Sequence, residues 1–176
     1  MQQYSSSMRA VCNPFSIQRR ISKKPLVVLE TGVSDGISTL SILLALEENQ
    51  KGSLYSIDFP DIGMPKLYGK PPGWIIPPHL KKRWCLIVGK SSDELKPLLN
   101  RLKCVDVFFH DSEHSYINMM REFETVHMKM TENSCILSDD ASANSSIADF
   151  AISHKIEKEN VVFLRSMESD LAGIIL

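Results

Sequence analysis

Val27-Val-Leu-Glu-Thr-Gly-Val-Ser-Asp-Gly-Ile-Ser-Thr39 is an apolar run that ends on an acid, turns through two glycines and restarts at helical spacing. Pro25 opens it, and Leu26 to Leu29 has the unbroken apolar character of a strand buried on both faces. Leu40, Leu43, Leu44 and Ala45 then recur on one side of a helix predicted from Ser38 to Glu48. A buried strand, a glycine turn and a helix in that order open a parallel α/β unit.

The same alternation continues downstream. Leu54–Ile57 reads as a second strand ending at Asp58, and Cys85–Val88 as a third. Ser92 to Leu102 is a helix opened by a Ser/Asp/Glu cluster, and Val105–Phe109 is the fourth strand. Ser115 to Met130 is amphipathic through Ile117, Met120, Phe123 and Val126; Ser134–Leu137 is a strand and Ser146 to Lys155 a helix. Val161–Leu164 and Ala172–Leu176 are two strands with too few residues between them for a crossover helix, so they form an antiparallel hairpin. The predicted fold is α/β and Rossmann-like: a doubly wound, mostly parallel seven-stranded sheet with an antiparallel C-terminal hairpin.

Two regions depart from this rhythm. Residues 1–24 read as an N-terminal helical arm broken near Pro14, ahead of a single domain over 25–176. Residues 59–83 hold six of the nine prolines, three glycines and Trp74. That density forbids a long helix, and Leu67, Tyr68, Trp74, Ile75 and Ile76 predict a packed lid or a surface for a homo-oligomer.

The chain has 176 residues, 43% hydrophobic and 23% charged, with 20 basic against 21 acidic side chains. The net charge of -1 argues against a nucleic-acid partner, which requires a basic face. No apolar run is long enough for a bilayer and no signal peptide is evident, so the expected location is cytoplasmic. Cys12, Cys85, Cys104 and Cys135 form no CxxC pair and read as buried, reduced thiols.

Open α/β sheets bind ligands at the carboxyl ends of their strands. Gly32 permits a tight turn there, and Gly36 is expected to let the helix approach the strand. The dinucleotide fingerprint is broken by Ser34 and Ile37, so a pyrophosphate is not the expected ligand. Asp58 stands where an acid takes both ribose hydroxyls. The pattern Glu30-x-Gly-x-x-x-Gly-x-Ser-Thr, with Asp58, resembles the first two motifs of class I S-adenosylmethionine-dependent methyltransferases, over Pro25 to the C-terminus. The resemblance implies cofactor contacts at Glu30, Gly32, Gly36, Ser38, Asp58, Ser91, Ser92 and Asp111, with Gly89 and Lys90 beside the adenine. It departs from the family at Ser34, where many members carry glycine.

Phe109-His-Asp-Ser-Glu-His-Ser-Tyr116 and Leu137-Ser-Asp-Asp140 end neighbouring strands, so Asp111, Asp139 and Asp140 are expected to converge. Three clustered carboxylates repel one another and suit Mg²⁺ or another hard divalent cation. A hydroxyl acceptor also needs a base, and histidine accepts a proton near neutrality. This arrangement is similar to the metal-dependent O-methyltransferases of the catechol type. That resemblance implies Asp111, Asp139 and Asp140 as metal ligands, and puts His114 where those enzymes carry a basic lysine. Asp-x-x-His-x-Tyr resembles still more closely a small-molecule and sugar O-methyltransferase-like group, whose members vary in metal use.

The reading is thus metal-assisted O-methylation of a small hydroxylated molecule, with His114 and Asp111 catalytic. Asp139 and Asp140 as a helix cap or turn, His114 as a structural helix-start residue and Glu113 as a rival base are the competing assignments. His110 reads as structural, and Tyr116 and Trp74 as candidates to shape the acceptor pocket. At the level of function the alternatives are a metal-independent methyltransferase and a non-catalytic cofactor-binding module. No Asn/Asp-Pro-Pro-Tyr/Phe motif follows the fourth strand, which argues against methylation of nucleic-acid bases at an amino group.

Overall fold

The computed structural model describes residues 25–59, 69–165 and 170–176. The arm expected over 1–24, and Leu67 and Tyr68 of the expected lid, lie outside the described residues. The strands are β1 (Val27–Thr31), β2 (Ser53–Asp58), β3 (Trp84–Val88), β4 (Val107–His110), β5 (Cys135–Ser138), β6 (Val161–Arg165) and β7 (Asp170–Ile175). The helices are α1 (Ile37–Glu48), α2 (Ser91–Arg101), α3 (Tyr116–His127) and α4 (Ser146–Ser153), with 3-10 turns at Pro78–Arg83 and Lys158–Asn160.

The sheet order is β3-β2-β1-β4-β5-β7-β6. β1 to β5 run parallel, and β7 enters antiparallel between β5 and β6. Sequence order reverses between β1 and β4, where a doubly wound sheet opens its ligand crevice. The register aligns Thr31 with Ile57 and His110, and His110 with Ser138. Asp58, the last residue of β2, and Gly32, Asp111 and Asp139, the residues that follow their strands, therefore share one edge. The last three extend the ladder: the Gly32 amide donates to the Ile57 carbonyl, Asp111 to Thr31 and Asp139 to His110, at 2.8–2.9 Å.

Helices cover both faces of the sheet. One core joins Leu29, Ile57 and Phe108 of the sheet to Leu95, Leu98 and Leu99 of α2, Phe123 and Val126 of α3, and Phe150 of α4. The smaller one joins Val28 and Leu54 to Leu43 and Leu46 of α1 and to Ile76 and Leu80 of the excursion. Pro97 lies inside α2, where it lacks an amide for the preceding turn. The helix persists because Leu95, Leu98 and Leu99 are buried on its inner face.

Two of the thiols expected to be buried are not: Cys104 is only half-buried, and Cys85 is exposed because β3 is the edge strand of the sheet. Cys135 is buried as expected, and burial pushes its thiol up to about 12. Among the described residues no helix is long and apolar enough to cross a membrane.

Candidate active site

The glycine turn is built from below by Glu30. Its carboxylate is wholly buried at the end of β1 and accepts hydrogen bonds from Ser38 Oγ (2.8 Å), Thr39 Oγ1 (2.8 Å) and Ser56 Oγ (2.7 Å). Burial pushes its carboxyl above the usual range, against the pull of those hydroxyls. Glu30 and Ser38 thus face each other beneath the turn and tie the start of α1 to β1 and β2.

Gly32 takes φ +85°, and a Cβ there would lie 1.8 Å from the Asp111 carbonyl oxygen. Ser34 also sits in the left-handed region, at φ 49°, which explains why glycine is the residue expected there. Gly36 corrects the sequence reading. Its φ of +101° and the 2.9 Å between its Cβ position and Gly73 Cα mean that it admits the excursion, not the strand. The Gly73 amide donates to the Ser34 carbonyl at 2.9 Å, and Trp74 Nε1 donates to Asp35 Oδ1 at 2.8 Å. The described part of the lid is therefore a strap across the turn. Trp84 supports it from below, donating from Nε1 to Ser56 Oγ at 2.9 Å.

Asp58 is half-buried, and burial raises its carboxyl while the amides of Val33, Ser34 and Phe59 oppose the rise. Phe59 is exposed beside it, with Lys90 Nζ 5.3 Å from the centre of its ring. The Gly89 amide donates to the Asp58 carbonyl at 2.9 Å, bringing the end of β3 to the same edge. Ser91 and Ser92 lie in the first turn of α2, with Asp93 and Glu94 favourably placed at its positive end. Their hydroxyls already have protein partners: Ser91 Oγ accepts from Arg121 Nη2 at 3.0 Å, and Ser92 Oγ donates to Asp93 at 2.9 Å.

Across the edge, His114 Nε2 stands 3.9 Å from Asp111 Oδ1 and 3.8 Å from Asp140 Oδ2. Burial, then the Asp139 and Glu30 charges, push the Asp111 carboxyl up to about 7. Burial and His110 lower His114, while Asp140 and Asp139 oppose them. Asp140 has φ 45°, a left-handed conformation that aspartate tolerates, and its carbonyl accepts from the Ala143 amide at 2.9 Å. Asn144 joins the two loops: its amide nitrogen donates to the His114 carbonyl at 2.9 Å, and its oxygen accepts from the Ser146 amide. Among the described residues no three His, Cys, Asp or Glu side chains form a group that could hold a metal ion. Glu113 accepts from Ser115 Oγ at 2.6 Å, at the cap of α3. Tyr116 is exposed and hydrogen-bonds toward Asp149 of α4.

One residue escaped the sequence reading. Glu122 of α3 is fully buried; its Oε2 accepts from Thr31 Oγ1 (2.6 Å) and His110 Nδ1 (2.8 Å), and its Oε1 from Ser112 Oγ (3.1 Å) and Asn118 Nδ2 (3.3 Å). Burial alone would raise its carboxyl, but His110 and the hydroxyl donors together outweigh it and the group sits below its ordinary value. A glutamate on the inner face of an otherwise amphipathic helix was the available signal, since Glu122 lies between Met119 and Phe123 on the buried side.

Residues 29–141 match the family model described as a methyltransferase domain, well over half of the chain. The chain belongs to this family. The expectation of a class I S-adenosylmethionine-dependent methyltransferase enzyme is borne out in family and fold. Solved methyltransferases share the architecture. The apo structure of CalS11, a TDP-rhamnose 3'-O-methyltransferase in calicheamicin biosynthesis, superposes with TM-score 0.62 at 13% identity, covering 99% of this chain and 80% of that one. An O-methyltransferase from Bacillus cereus in complex with SAH gives 0.61 at 14%, covering 94% and 82%. TomG from Streptomyces achromogenes, involved in tomaymycin synthesis and in complex with SAM, gives 0.61 at 13%, covering 92% and 78%. At these identities the likeness speaks to the methyltransferase fold. No curated protein matches the sequence.

Proposed function

We propose that the chain is a cytoplasmic enzyme that transfers a methyl group from S-adenosylmethionine to a hydroxyl of a small molecule, with His114 as proton acceptor. The observation that carries this reading is His114 Nε2, held within 4 Å of two carboxylates on the edge that also bears the glycine turn. The neighbours' O-methyltransferase descriptions support the same reading.

The residues present fit the cofactor. The turn at Gly32–Gly36 would face its methionine part, with Glu30 and Ser38 fixing the turn's shape from beneath. Asp58 would accept from the ribose hydroxyls, and the exposed Phe59 ring with Gly89, Lys90, Ser91 and Ser92 would border the adenine. No phosphate-binding cluster is required, consistent with the broken dinucleotide fingerprint. Bound there, the cofactor supplies an electrophilic methyl carbon: a C–O bond forms as the S–C bond breaks, and the electron pair stays on sulfur. His114 Nε2 takes the proton released by the acceptor oxygen. Asp111 and Asp140 then stabilise the imidazolium, as carboxylates do for a nearby cation. Asp139 belongs to the same cluster through its effect on Asp111.

Asp111, Asp139 and Asp140 offer the oxygen donors that Mg²⁺ or a similar cation takes. Their chemistry suits such an ion, but the described residues do not form a group able to hold one, so no step here passes through it. Metal-assisted transfer is the second form of the proposal; the repulsion from Asp139, which adds to burial in raising Asp111, favours a cation that would draw the three carboxylates together.

The test is release of S-adenosylhomocysteine in the presence of phenols, catechols and nucleotide-linked sugars, with Mg²⁺ or with excess chelator. Acceptor-dependent release supports the function, and undiminished turnover in chelator removes the cation. Asp139→Ala should lower turnover while leaving cofactor affinity largely intact. Binding of the cofactor with no release for any acceptor would favour the non-catalytic module.

A further inference from the structure

Two buried ring nitrogens at the active edge have no hydrogen-bond partner: His110 Nε2 and His114 Nδ1. Their rings meet edge to face, with centroids 5.2 Å apart and planes at 89°. A buried nitrogen left unpaired is costly, so two orphans on adjoining rings call for a common explanation.

The other face of His110 supplies it. Glu122 is fully buried, and the same carboxylate oxygen takes the Thr31 hydroxyl at 2.6 Å and His110 Nδ1 at 2.8 Å. A carboxylate only accepts, so Nδ1 of His110 carries the hydrogen. In the neutral ring Nε2 is then a lone pair, and the group beside it must donate. The adjoining orphan, His114 Nδ1, is the side-chain donor on the neighbouring ring; the two nitrogens are not hydrogen-bonded as the rings stand, and a small rotation of either ring would let Nδ1–H donate to that lone pair. With its hydrogen on Nδ1, His114 presents an unprotonated Nε2 to the Asp111 and Asp140 side.

We propose that Glu122 and His110 are positioning residues that fix the tautomer of His114, in the order Glu122 carboxylate, His110 Nδ1–H, His110 Nε2, His114 Nδ1–H. This inference rests on the reading of His114 as proton acceptor and gives the reason its outer nitrogen is free to act. The sequence treated His110 as structural and left Glu122 unassigned; together they set the hydrogen-bond polarity of the site. The same principle orients catalytic and metal-bound histidines elsewhere: the partner of one ring nitrogen decides the state of the other.

The proposal makes a reversible prediction. In Glu122→Gln the new side-chain amide can donate to His110 Nδ1, which moves the His110 hydrogen to Nε2. His114 Nδ1 must then accept, and its own hydrogen moves to Nε2, where it blocks proton uptake. The experiment is ¹⁵N-histidine NMR of the whole chain, followed upward in pH until the imidazoles are in their neutral forms. No acceptor or cofactor is needed, so its outcome is independent of whether methyl transfer is found. Wild type is expected to show both His110 and His114 as Nδ1–H tautomers, and Glu122→Gln to show both as Nε2–H. Turnover of an identified acceptor should fall about a hundredfold in Glu122→Gln, with S-adenosylhomocysteine affinity within about twofold of wild type. Thr31→Val removes a bond to the same oxygen without touching the relay; it should leave both tautomers and turnover nearly unchanged. An Nε2–H tautomer of His114 in wild type would overturn the proposal even if Glu122→Gln failed to fold. So would a folded Glu122→Gln protein with the wild-type tautomers.

Discussion

The carbonyl oxygen of Asp111 occupies the place where a side chain on residue 32 would begin, 1.8 Å from the Cβ position of Gly32. This contact locks the turn after β1 to the loop after β4, so the cofactor side and the acidic side of the edge cannot shift independently. Gly32→Ala must separate them, and the φ of +85° adds strain of its own. The substitution is expected to cost about 3 kcal/mol or more, read as a lowered urea midpoint. A midpoint within error of wild type would show that the edges are not locked.

Glu30 gives a second test of the turn. Glu30→Ala strands the hydroxyls of Ser38, Thr39 and Ser56 around a cavity, and about 2–4 kcal/mol of stability should be lost. Glu30→Gln keeps the shape and still accepts at one oxygen, so it should retain more than half of that stability. Chemical denaturation of the two variants separates loss of shape from loss of charge.

The acidic cluster makes stability depend on pH. The Asp111 carboxyl is raised to about 7, above its value in the unfolded chain, so the folded state favours its protonated form. That contribution is complete below about pH 4 and is lost as pH rises through 7. Asp111→Asn has no charge to bury and should melt above wild type at pH 8 but not at pH 4. Asp111 is about one-third exposed, and solvent screening reduces the expected gain to ~1–2 kcal/mol, or ~3–6 °C in Tm. Equal melting shifts at both pH values would remove burial of the Asp111 charge as the cause.

The strap is tied to the turn at Trp74 and Gly73. Trp74→Phe loses only the bond to Asp35 on an exposed ring, so stability should change by less than about 1 kcal/mol. Cofactor affinity should nonetheless fall several-fold, because residues 34–36 lose an anchor. Gly73→Ala is the severe case, since its Cβ would lie 2.2 Å from the Trp84 ring and its φ is +64°. It should disturb both stability and binding, which calorimetry and melting would report together.

Much of this architecture was legible from local pattern. The apolar run before Glu30, the regular alternation after Cys85 and the short link before Ala172 each correspond to an element within a few residues of its expected bounds. The sequence pattern expected Asp111, Asp139 and Asp140 to converge, since parallel register puts successive strand ends on one edge; the contacts that form there run from His114 to Asp111 and Asp140. What was not legible depends on contacts distant in sequence. Gly36 was read against its own strand, but its neighbour is Gly73, far along the chain. Cys85 looked buried because an edge strand and a central strand carry the same short apolar run. Glu122 was overlooked because a single acid on a helix reads as solvated until Thr31 and His110 are seen to close on it.

Calorimetric titration of S-adenosylhomocysteine into wild type and Asp58→Ala tests whether this edge holds the cofactor. One site per chain is expected in wild type, and about tenfold or greater weakening when the ribose partner is removed. Absence of binding at millimolar concentration would contradict it, as would equal affinity in the folded Asp58→Ala protein.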